Sequence, residues 1–437
     1  MTTTRNPGTG RAQPPEPPRR PGQRQAERPV RDSGPAVVVG VKKLFSAETP
    51  NFFLLLGTTI FLVAFGLVMV LSSSSVESHL QSDDFFASFS RQGLYALIGI
   101  PLMLVVSRMR AAFWRKWAWL VLGGALALQL LVFTPMGYGY GGNTNWVDFG
   151  PFSVQPSELV KLALIIWIAH IVTAKAGLMH NWRHVALPIG PVAMIAIGFV
   201  LLGNDLGTAV VMLSIVLGCL FFAGIRLRLL ATVVAILAFC GLIIAFASPS
   251  RVKRITAWVN GCNEQNYIDT CWQSMHGTWA LASGGIFGVG LGNSKAKWSW
   301  LPEAQNDFIF AIIGEELGLI GAVVVLLLFV VLAIVFVRII RANHNPFARV
   351  VTSGVLVWIV GQALVNIAVV LGLLPVLGVP LPLISAGGSA LIATLIAIGV
   401  VLSFARNPEP PRAAGLTEPT PAERSRIAAA QRTRPTS

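Results

Sequence analysis

Long apolar segments recur along this chain and are separated by short polar connections. An α-helix needs about 20 predominantly apolar residues to cross a hydrocarbon core about 30 Å thick. The pattern therefore predicts an all-α polytopic membrane protein with about ten transmembrane helices. The predicted spans are 51–73, 92–107, 117–134, 157–174, 186–202, 207–225, 229–247, 308–337, 350–374 and 386–405.

Composition supports the membrane class. Hydrophobic residues make up 54% of the 437 positions and charged residues 12%, whereas a soluble globular chain carries about 25% charged residues. The net charge of +14 does not indicate a nucleic-acid partner, because much of it lies in the Pro-rich segment before the first span. We expect disordered tails over 1–50 and 407–437, flanking a membrane domain over 51–406. With no signal-peptide pattern near Met1, the first span should direct membrane insertion.

Basic residues indicate which side of the membrane the tails occupy. Clusters follow the second, fourth, sixth and eighth spans, on the same side as both tails, and acidic residues lie in the alternate loops. Because Lys and Arg are enriched in cytoplasmic loops, both termini are predicted to be cytoplasmic.

The large extracytoplasmic loop predicted over 248–307 breaks this rule. It carries basic residues on the side that usually lacks them, which favours an anionic ligand at the outer surface. Contact with phospholipid headgroups is the alternative. The basic residues are Arg251, Lys253, Arg254, Lys295 and Lys297.

The same loop contains Cys262 and Cys271, outside the reducing cytosol. Disulfides persist in such compartments, so a bond closing this short hairpin is predicted. Cys219 and Cys240 fall within apolar spans and are expected to be packing residues.

Four acidic residues lie at the start of the eighth span: Glu303, Asp307, Glu315 and Glu316. A carboxylate at membrane depth costs roughly 2.5 kcal/mol or more, so such residues are functional candidates. If the chain is helical from Pro302, Glu303 and Asp307 share a face. That face continues through Ala311, Gly314, Glu315 and Gly318. Asp307 would lie near water, ionised and able to act as a base, whereas Glu315 and Glu316 would be paired or protonated. A helix cap or a salt bridge to the loop lysines is the alternative role for Asp307.

Other polar positions interrupt the apolar spans. Glu158 and Lys161 are spaced as an internal ion pair, and Asp205 is placed to cap a helix after a tight turn. The segment PVLGVPLPLISAGGS, with Ser385, Gly387 and Gly388, has too many Pro and Gly residues for a regular helix. It is predicted to be a re-entrant or cavity-lining segment shielded from lipid.

Five motifs together resemble the shape, elongation, division and sporulation (SEDS) family. They are PFSVQPSELVKLA, NDLGTAVVM, GGIFGVGLGNS, WLPEAQNDFIFAIIGEELGLIGA and LLPVLGVPLPLISAGGSALIATL, and the resemblance covers 51–406. It implies a ten-helix peptidoglycan glycosyltransferase that polymerises lipid II at the outer face of the bacterial cytoplasmic membrane. A class B penicillin-binding transpeptidase is the implied partner.

The motif wording and the long tails resemble the division members of the family more than its elongation members. A division member would be enriched at the septum and would bind other division proteins. The family's essential aspartate falls on Asp307, its acidic neighbour on Glu303, and its Gly-Glu-Glu pair on Glu315 and Glu316.

The chain departs from the family pattern in two outer turns. Asn145 precedes Trp146 where the family usually has Arg, and Gly203-Asn204 precedes Asp205 where Glu-Pro or Gln-Pro is usual. Both changes weaken the expectation that these turns bind phosphate or sugar in the common way.

The implied reaction joins a sugar hydroxyl to an anomeric carbon that carries a lipid diphosphate. The hydroxyl needs a base, and we assign that role to Asp307. The diphosphate needs charge neutralisation, from Lys295, Lys297, Arg251 or Arg254 and from a divalent cation, Mg²⁺ or Mn²⁺, if one is required. No cofactor is certain from the residues. We expect inversion at the anomeric carbon, and a trapped glycosyl–Asp307 adduct would contradict it.

Two other functions remain alternatives. A lipid II flippase would also use intramembrane acids and a broken helix, but it should show an inverted repeat with a midplane site. A non-catalytic scaffold that recruits the transpeptidase would not need Asp307 for polymer synthesis.

Overall fold

A computed structural model describes residues 48–140, 143–150, 152–178, 182–246, 249–262, 267, 271–298 and 300–406. The predicted tails therefore lie almost wholly outside the described residues, and so does the side chain of Cys240.

Thirteen helices are present within the described residues, and every predicted span contains one. Eight helical stretches are long and apolar enough to cross a membrane, one of which, Pro346–Val370, joins two of these helices, and two shorter apolar helices, Leu206–Phe222 and Leu227–Ile236, fill the remaining predicted spans. The prediction of a polytopic helical protein is confirmed. The helices are α1 (Pro50–Ser82), α2 (Ala87–Val106), α3 (Ala111–Leu130), α4 (Pro156–Ala174), α5 (Trp182–Leu202), α6 (Leu206–Phe222), α7 (Leu227–Phe246), α8 (Pro249–Asn260), α9 (Trp272–Gly284), α10 (Ile309–Ala342), α11 (Pro346–Leu356), α12 (Gln362–Val370) and α13 (Gly388–Arg406).

A small antiparallel sheet connects α3 to α4, an element that the all-α prediction missed. Its strands, in spatial order, are β1 (Gly137–Tyr140), β2 (Asn143–Asp148) and β3 (Ser153–Val154). Val147 pairs with Gly137 on one side and with Val154 on the other. Short strands rich in Gly, Asn and Thr give too weak an alternation of polarity to be seen beside long apolar runs.

The two ends of the membrane domain meet. Thr49 caps α1 by accepting a hydrogen bond from the Phe52 amide, and its hydroxyl donates to the Ala405 carbonyl at the end of α13. Glu48 forms an ion pair with Arg406. Both ends therefore lie on the same side, as an even number of spans requires.

Helices α4 and α13 form the centre of the domain. About 78% of the apolar window of each is buried within the protein, against 28% for α3 and α5. Trp167 of α4 is fully buried. The polar residues of α4 are consequently enclosed by protein, where they must find partners.

Part of the predicted outer loop descends beside α10. The end of α9 packs against α10 so closely that a Cβ on Gly284 would lie 2.0 Å from the Gly314 carbonyl oxygen. At 1.5 Å per residue, Gly318 lies about 13 Å below the start of α10, and segment 285–290 reaches that level. Within the loop over 248–307, residues 285–297 thus form a re-entrant hairpin beside α10.

The hairpin repairs a break in α10. Gly318 has φ 69° and ψ −166°, which interrupts the helix, so two amides and two carbonyls lose their partners within it. Segment 285–290 supplies all four. The hydrogen bonds run from Leu319 N to Gly285 O (2.9 Å), Ile320 N to Ile286 O (3.3 Å), Val289 N to Glu315 O (3.0 Å) and Gly290 N to Glu316 O (3.0 Å).

Gly288 and Gly292 provide a matched test of this repair. Both have a left-handed φ, +80° and +81°, but a Cβ on Gly288 would lie 2.1 Å from the Glu316 carbonyl oxygen, whereas Gly292 has no atom within 4 Å. We expect Gly292→Ala to cost only about 1–2 kcal/mol for its backbone conformation. Gly288→Ala should cost more, because it also displaces the hairpin from α10.

Thermal unfolding of both purified variants in detergent micelles measures the difference. Equal melting temperatures for the two variants would show that the hairpin does not depend on this close contact.

Candidate active site around Asp307

Asp307 lies in a turn before α10 rather than on a helix. Helix α10 begins at Ile309, so the expectation of a helix from Pro302 was wrong. The reason is Glu303, whose φ of +56° is incompatible with a right-handed helix. Its carboxylate accepts a hydrogen bond from Asn306 Nδ2 at 2.6 Å. Glu303 and Asp307 are therefore neighbours through a turn and not through a shared helix face.

The backbone of this turn is fixed from α12. Asn366 Nδ2 donates to the Asp307 carbonyl oxygen and to the Val379 carbonyl oxygen, both at 2.7 Å. One buried amide thereby joins α12, the Asp307 turn and the segment that follows α12. Sequence analysis missed Asn366, although a polar residue four positions after Gln362 in an apolar span was a usable signal.

The segment from 371 to 387 is non-helical, as its prolines and glycines predicted, and residues 381–385 within it are buried. Ser385 Oγ donates to the Asn306 carbonyl oxygen at 2.6 Å, and the Ala386 amide donates to the Gln305 carbonyl oxygen at 2.9 Å. A Cβ on Gly378 would lie 3.5 Å from Asp307 Oδ2. This segment therefore supports the turn and lines one side of the Asp307 carboxylate.

The predicted glycines of the segment have structural roles. The Gly387 amide donates to Gln92 Oε1 at 3.2 Å, and Gln92 Nε2 donates to the Ser385 carbonyl oxygen at 3.1 Å. Gly388 lies against the Tyr95 ring, where a Cβ would approach within 2.1 Å. Both positions join α13 to α2, and Gln92 is a second residue that sequence analysis missed.

The Asp307 side chain is partly buried. Burial, together with the charges of Glu303 and Asp205, raises the pKa of its carboxyl from the ordinary 3.8 to about 7, and the charge of Arg254 opposes this rise. The expectation of a fully ionised Asp307 is therefore corrected: near neutral pH the group exchanges its proton readily.

Asp205 caps α6, as the turn predicted, by accepting a hydrogen bond from the Thr208 amide at 2.8 Å. Burial raises the pKa of its carboxyl, although the hydrogen bonds from Thr208 and the charge of Lys161 oppose the shift. Sequence analysis did not place Asp205 near Asp307, because more than one hundred positions separate them.

The two departures from the family pattern meet at Asp205. Asn145 Nδ2 donates to Asp205 Oδ2 at 3.0 Å, and the Thr144 amide donates to the Gly203 carbonyl oxygen at 3.0 Å. A Cβ on Gly203 would lie 2.6 Å from the Thr144 carbonyl oxygen. A short amide and a glycine thus allow the sheet and the α5–α6 turn to approach closely.

Glu158 and Lys161 form the predicted ion pair, with Lys161 Nζ 2.8 Å from Glu158 Oε2 and both side chains buried. Lys161 also donates to Gln362 Oε1 at 3.1 Å and lies over the Trp358 ring. Gln362 Nε2 donates to the Pro380 carbonyl oxygen at 2.9 Å. The pair therefore supports the re-entrant segment from below.

Glu316 is fully buried in α10 and is paired, as predicted. It accepts hydrogen bonds from Ser72 Oγ of α1 at 2.6 and 2.7 Å, and Lys297 Nζ lies 3.5 Å away. Lys297 also donates to the Gly292 carbonyl oxygen at 2.6 Å. Its ammonium group is thus buried in the hairpin, so the salt bridge considered for Asp307 forms with Glu316 instead.

Glu315 holds the other side of the hairpin. Its carboxylate accepts hydrogen bonds from the Ser294 hydroxyl and, at 2.9 Å, from the Lys295 amide. The Lys295 side chain itself is exposed. Both acids of the Gly-Glu-Glu motif thus fasten the re-entrant hairpin to α10.

Helix α8 brings Arg254 close enough to act on Asp307, and Trp258 Nε1 donates to the Gly372 carbonyl oxygen at 3.0 Å. The side chain of Arg251 lies outside the described residues. Cys262 and Cys271 are joined by the predicted disulfide, which ties the end of α8 to the start of α9. Cys219 is buried and free, as expected for a packing residue.

Within the described part of the chain, no three His, Cys, Asp or Glu side chains group in a way that would hold a metal ion. The divalent cation therefore stays a prediction.

The family model described as "Cell cycle protein", which covers FtsW, RodA and SpoVE, matches residues 53–409. This chain belongs to that family. The FtsW/RodA/SpoVE assignment confirms the resemblance seen in the motifs and, with the apolar helices, makes the chain a multi-pass membrane protein.

Two curated relatives show how far the similarity extends. The "Probable peptidoglycan glycosyltransferase FtsW" of Mycobacterium tuberculosis is 39% identical over 84% of this chain and 70% of the relative. The "Stage V sporulation protein E" of Bacillus subtilis is 36% identical over 82% of this chain and 98% of the relative.

Solved structures share the fold. The rod shape determining protein RodA of Thermus thermophilus matches with a TM-score of 0.62 at 26% identity, over 84% of this chain and 99% of that one. A chain from a structure described as coordinating polymerization and crosslinking in a peptidoglycan synthase complex matches with a TM-score of 0.67 at 25% identity, over 81% and 97%.

The buried ion pair beneath the re-entrant segment yields a stability prediction. Lys161→Met leaves the Glu158 charge uncompensated and should destabilise the protein by about 3–5 kcal/mol. The double variant Lys161→Met, Glu158→Gln removes that charge, so it should recover part of the loss. Thermal unfolding in detergent micelles measures the double variant and both single variants, Lys161→Met and Glu158→Gln. A double variant as unstable as the sum of its single changes would argue against direct coupling.

Proposed function

We propose that this protein is a peptidoglycan glycosyltransferase that polymerises lipid II at the outer face of the cytoplasmic membrane, with Asp307 as the general base. The observation that carries the proposal is the Asp307 turn: a carboxylate with its pKa raised to about 7, held at the mouth of a membrane domain by Asn366 and Ser385. Family membership and relatives named as peptidoglycan glycosyltransferases support it.

The chemistry follows from the position and pKa of Asp307. A general base works best when its pKa lies near the working pH, because it is then both substantially ionised and basic enough to take a proton. Asp307 accepts the proton of the attacking sugar hydroxyl as the bond to the anomeric carbon forms. The bond to the lipid diphosphate breaks at the same centre. The charge of Arg254 acts on Asp307. We assign to Arg254 the stabilisation of the negative charge that develops on the departing lipid diphosphate.

The partner and the cellular site belong to the same proposal. A class B penicillin-binding transpeptidase crosslinks the strands, which is supported by the structural match to a peptidoglycan synthase complex. Other division proteins would join them at the septum. Both termini are cytoplasmic, which is supported by the basic loops and by the Glu48–Arg406 pair. Labelling single cysteines placed at residues 48 and 406 from either side of the membrane tests this orientation.

The first activity prediction concerns Asp307→Asn. Asparagine preserves the side-chain shape but cannot take a proton at neutral pH, so polymerisation of labelled lipid II should fall by about 10²- to 10⁴-fold. The assay uses purified protein with and without the transpeptidase partner and separates glycan strands by gel electrophoresis.

Asp148→Asn is the matched control, because Asp148 is an exposed acid of β2 whose side chain accepts a hydrogen bond only from the Gly150 amide among its described contacts. It should leave polymerisation unchanged. Full activity of Asp307→Asn would remove Asp307 from catalysis. Movement of lipid II across vesicle membranes without polymer would favour the flippase.

The second activity prediction uses pH. Since the base must be ionised, the rate should fall about tenfold per pH unit below about 7. Glu303→Gln removes a negative charge and lowers the pKa of Asp307, so it should move the acid limb of the pH–rate profile to lower pH. Arg254→Gln removes a positive charge and raises the pKa of Asp307, so it should move the acid limb to higher pH. We expect each shift to be about 0.5 to 1 pH unit.

Initial rates between pH 5 and 9 measure these limbs. Shifts in the same direction for both variants would contradict the electrostatic account of the Asp307 pKa.

A further inference from the structure

An aromatic cluster stands beside the Asp307 turn and takes no part in the proposed chemistry. Trp272 and His276 lie one turn apart on α9, with ring centroids 4.1 Å from each other. Trp300, from the turn that precedes Asp307, stacks on both: its ring lies 6.1 Å from Trp272 at an interplanar angle of 11°, and 5.8 Å from His276 at 28°. Tyr267 contacts the edge of this stack.

The Trp300 ring is packed beside α9 but not enclosed. Trp272 and His276 lie next to it, yet 54% of Trp300 remains exposed. The His276 ring is oriented by a contact of 2.8 Å between its Nδ1 and the Trp272 carbonyl oxygen. Cys271 of the disulfide with Cys262 directly precedes Trp272. The exposed surface of Trp300 is therefore an aromatic platform supported by α9.

The platform is continuous with the proposed active site. Gln273 Nε2 donates to the Pro302 carbonyl oxygen at 3.2 Å, and Phe308 packs against Gly277 of α9. Trp300 and Asp307 thus lie on one short irregular segment before α10, and α9 holds this segment at Pro302 and Phe308.

We propose that the exposed surface of Trp300, packed beside Trp272 and His276, is a saccharide subsite that holds the growing glycan strand next to Asp307. The inference rests on the proposed function. A pyranose ring presents a face of C–H groups, and the electron-rich face of an aromatic ring attracts such groups while burying apolar area. The product is a chain of such rings that remains close to the enzyme between additions.

A role as a membrane-interface anchor is the competing explanation, because Trp residues are enriched at that level. Trp298 separates the two explanations. It lies in the same turn and is 62% exposed, but among the described residues it has no place in the ring stack. An anchor would involve Trp298 as much as Trp300, whereas a saccharide platform requires only Trp300.

The test measures binding of a fluorescent GlcNAc–MurNAc tetrasaccharide without lipid to the full-length protein in detergent micelles, by anisotropy. This probe has no diphosphate, so binding is read without catalysis and without dependence on Asp307 as a base. We expect saturable binding that Trp300→Ala weakens by about tenfold, that Trp300→Phe restores in part, and that Trp298→Ala leaves unchanged. In the polymerisation assay, Trp300→Ala should shorten the strands without moving the acid limb of the pH profile.

Absence of saturable binding to the wild-type protein would overturn the subsite. Equal loss in Trp298→Ala and Trp300→Ala, or unchanged strand length in a Trp300→Ala protein that melts like the wild type, would do the same. An inactive Asp307→Asn protein that still binds the tetrasaccharide would support the subsite. An active Asp307→Asn protein would contradict the proposed role of Asp307 as base but not the subsite.

Discussion

The structure depends on one constraint: a backbone amide or carbonyl at membrane depth must find its hydrogen-bond partner inside the protein. Helix α10 breaks at Gly318, and segment 285–290 supplies the four missing hydrogen bonds. Glu315 and Glu316 then fasten the remainder of the hairpin from the side. The acids that stand out in the sequence at this depth are therefore satisfied within the fold.

The same requirement shapes the proposed active site. The segment over 371–387 forms no regular helix, and buried side-chain amides supply part of its hydrogen bonding. Asn366 and Gln362 reach it from α12, and Gln92 reaches it from α2. Because Asn366 bonds to the Asp307 carbonyl as well, the repair of the re-entrant segment also positions the catalytic candidate.

Electrostatics follows from this arrangement. Asp307 is partly buried near two other acids, Glu303 and Asp205, and Arg254 on α8 is the opposing charge. The resulting pKa of about 7 suits proton transfer at neutral pH. A carboxylate with the ordinary pKa, fully ionised as the sequence suggested, would be a weaker base.

By itself the sequence determined the class of fold, the spans, the Glu158–Lys161 pair, the disulfide, the non-helical segment before α13 and the candidate base. Each of these depends on hydropathy, local spacing or a motif, which are properties of neighbouring residues in the chain. Tertiary structure alone decided that Asp307 lies in a turn, that Asp205 stands near it, that Lys297 faces Glu316 and that Trp300 stacks on α9. These facts join residues of different helices and loops. Their contacts depend on how the helices pack, and no local pattern of polarity records that packing.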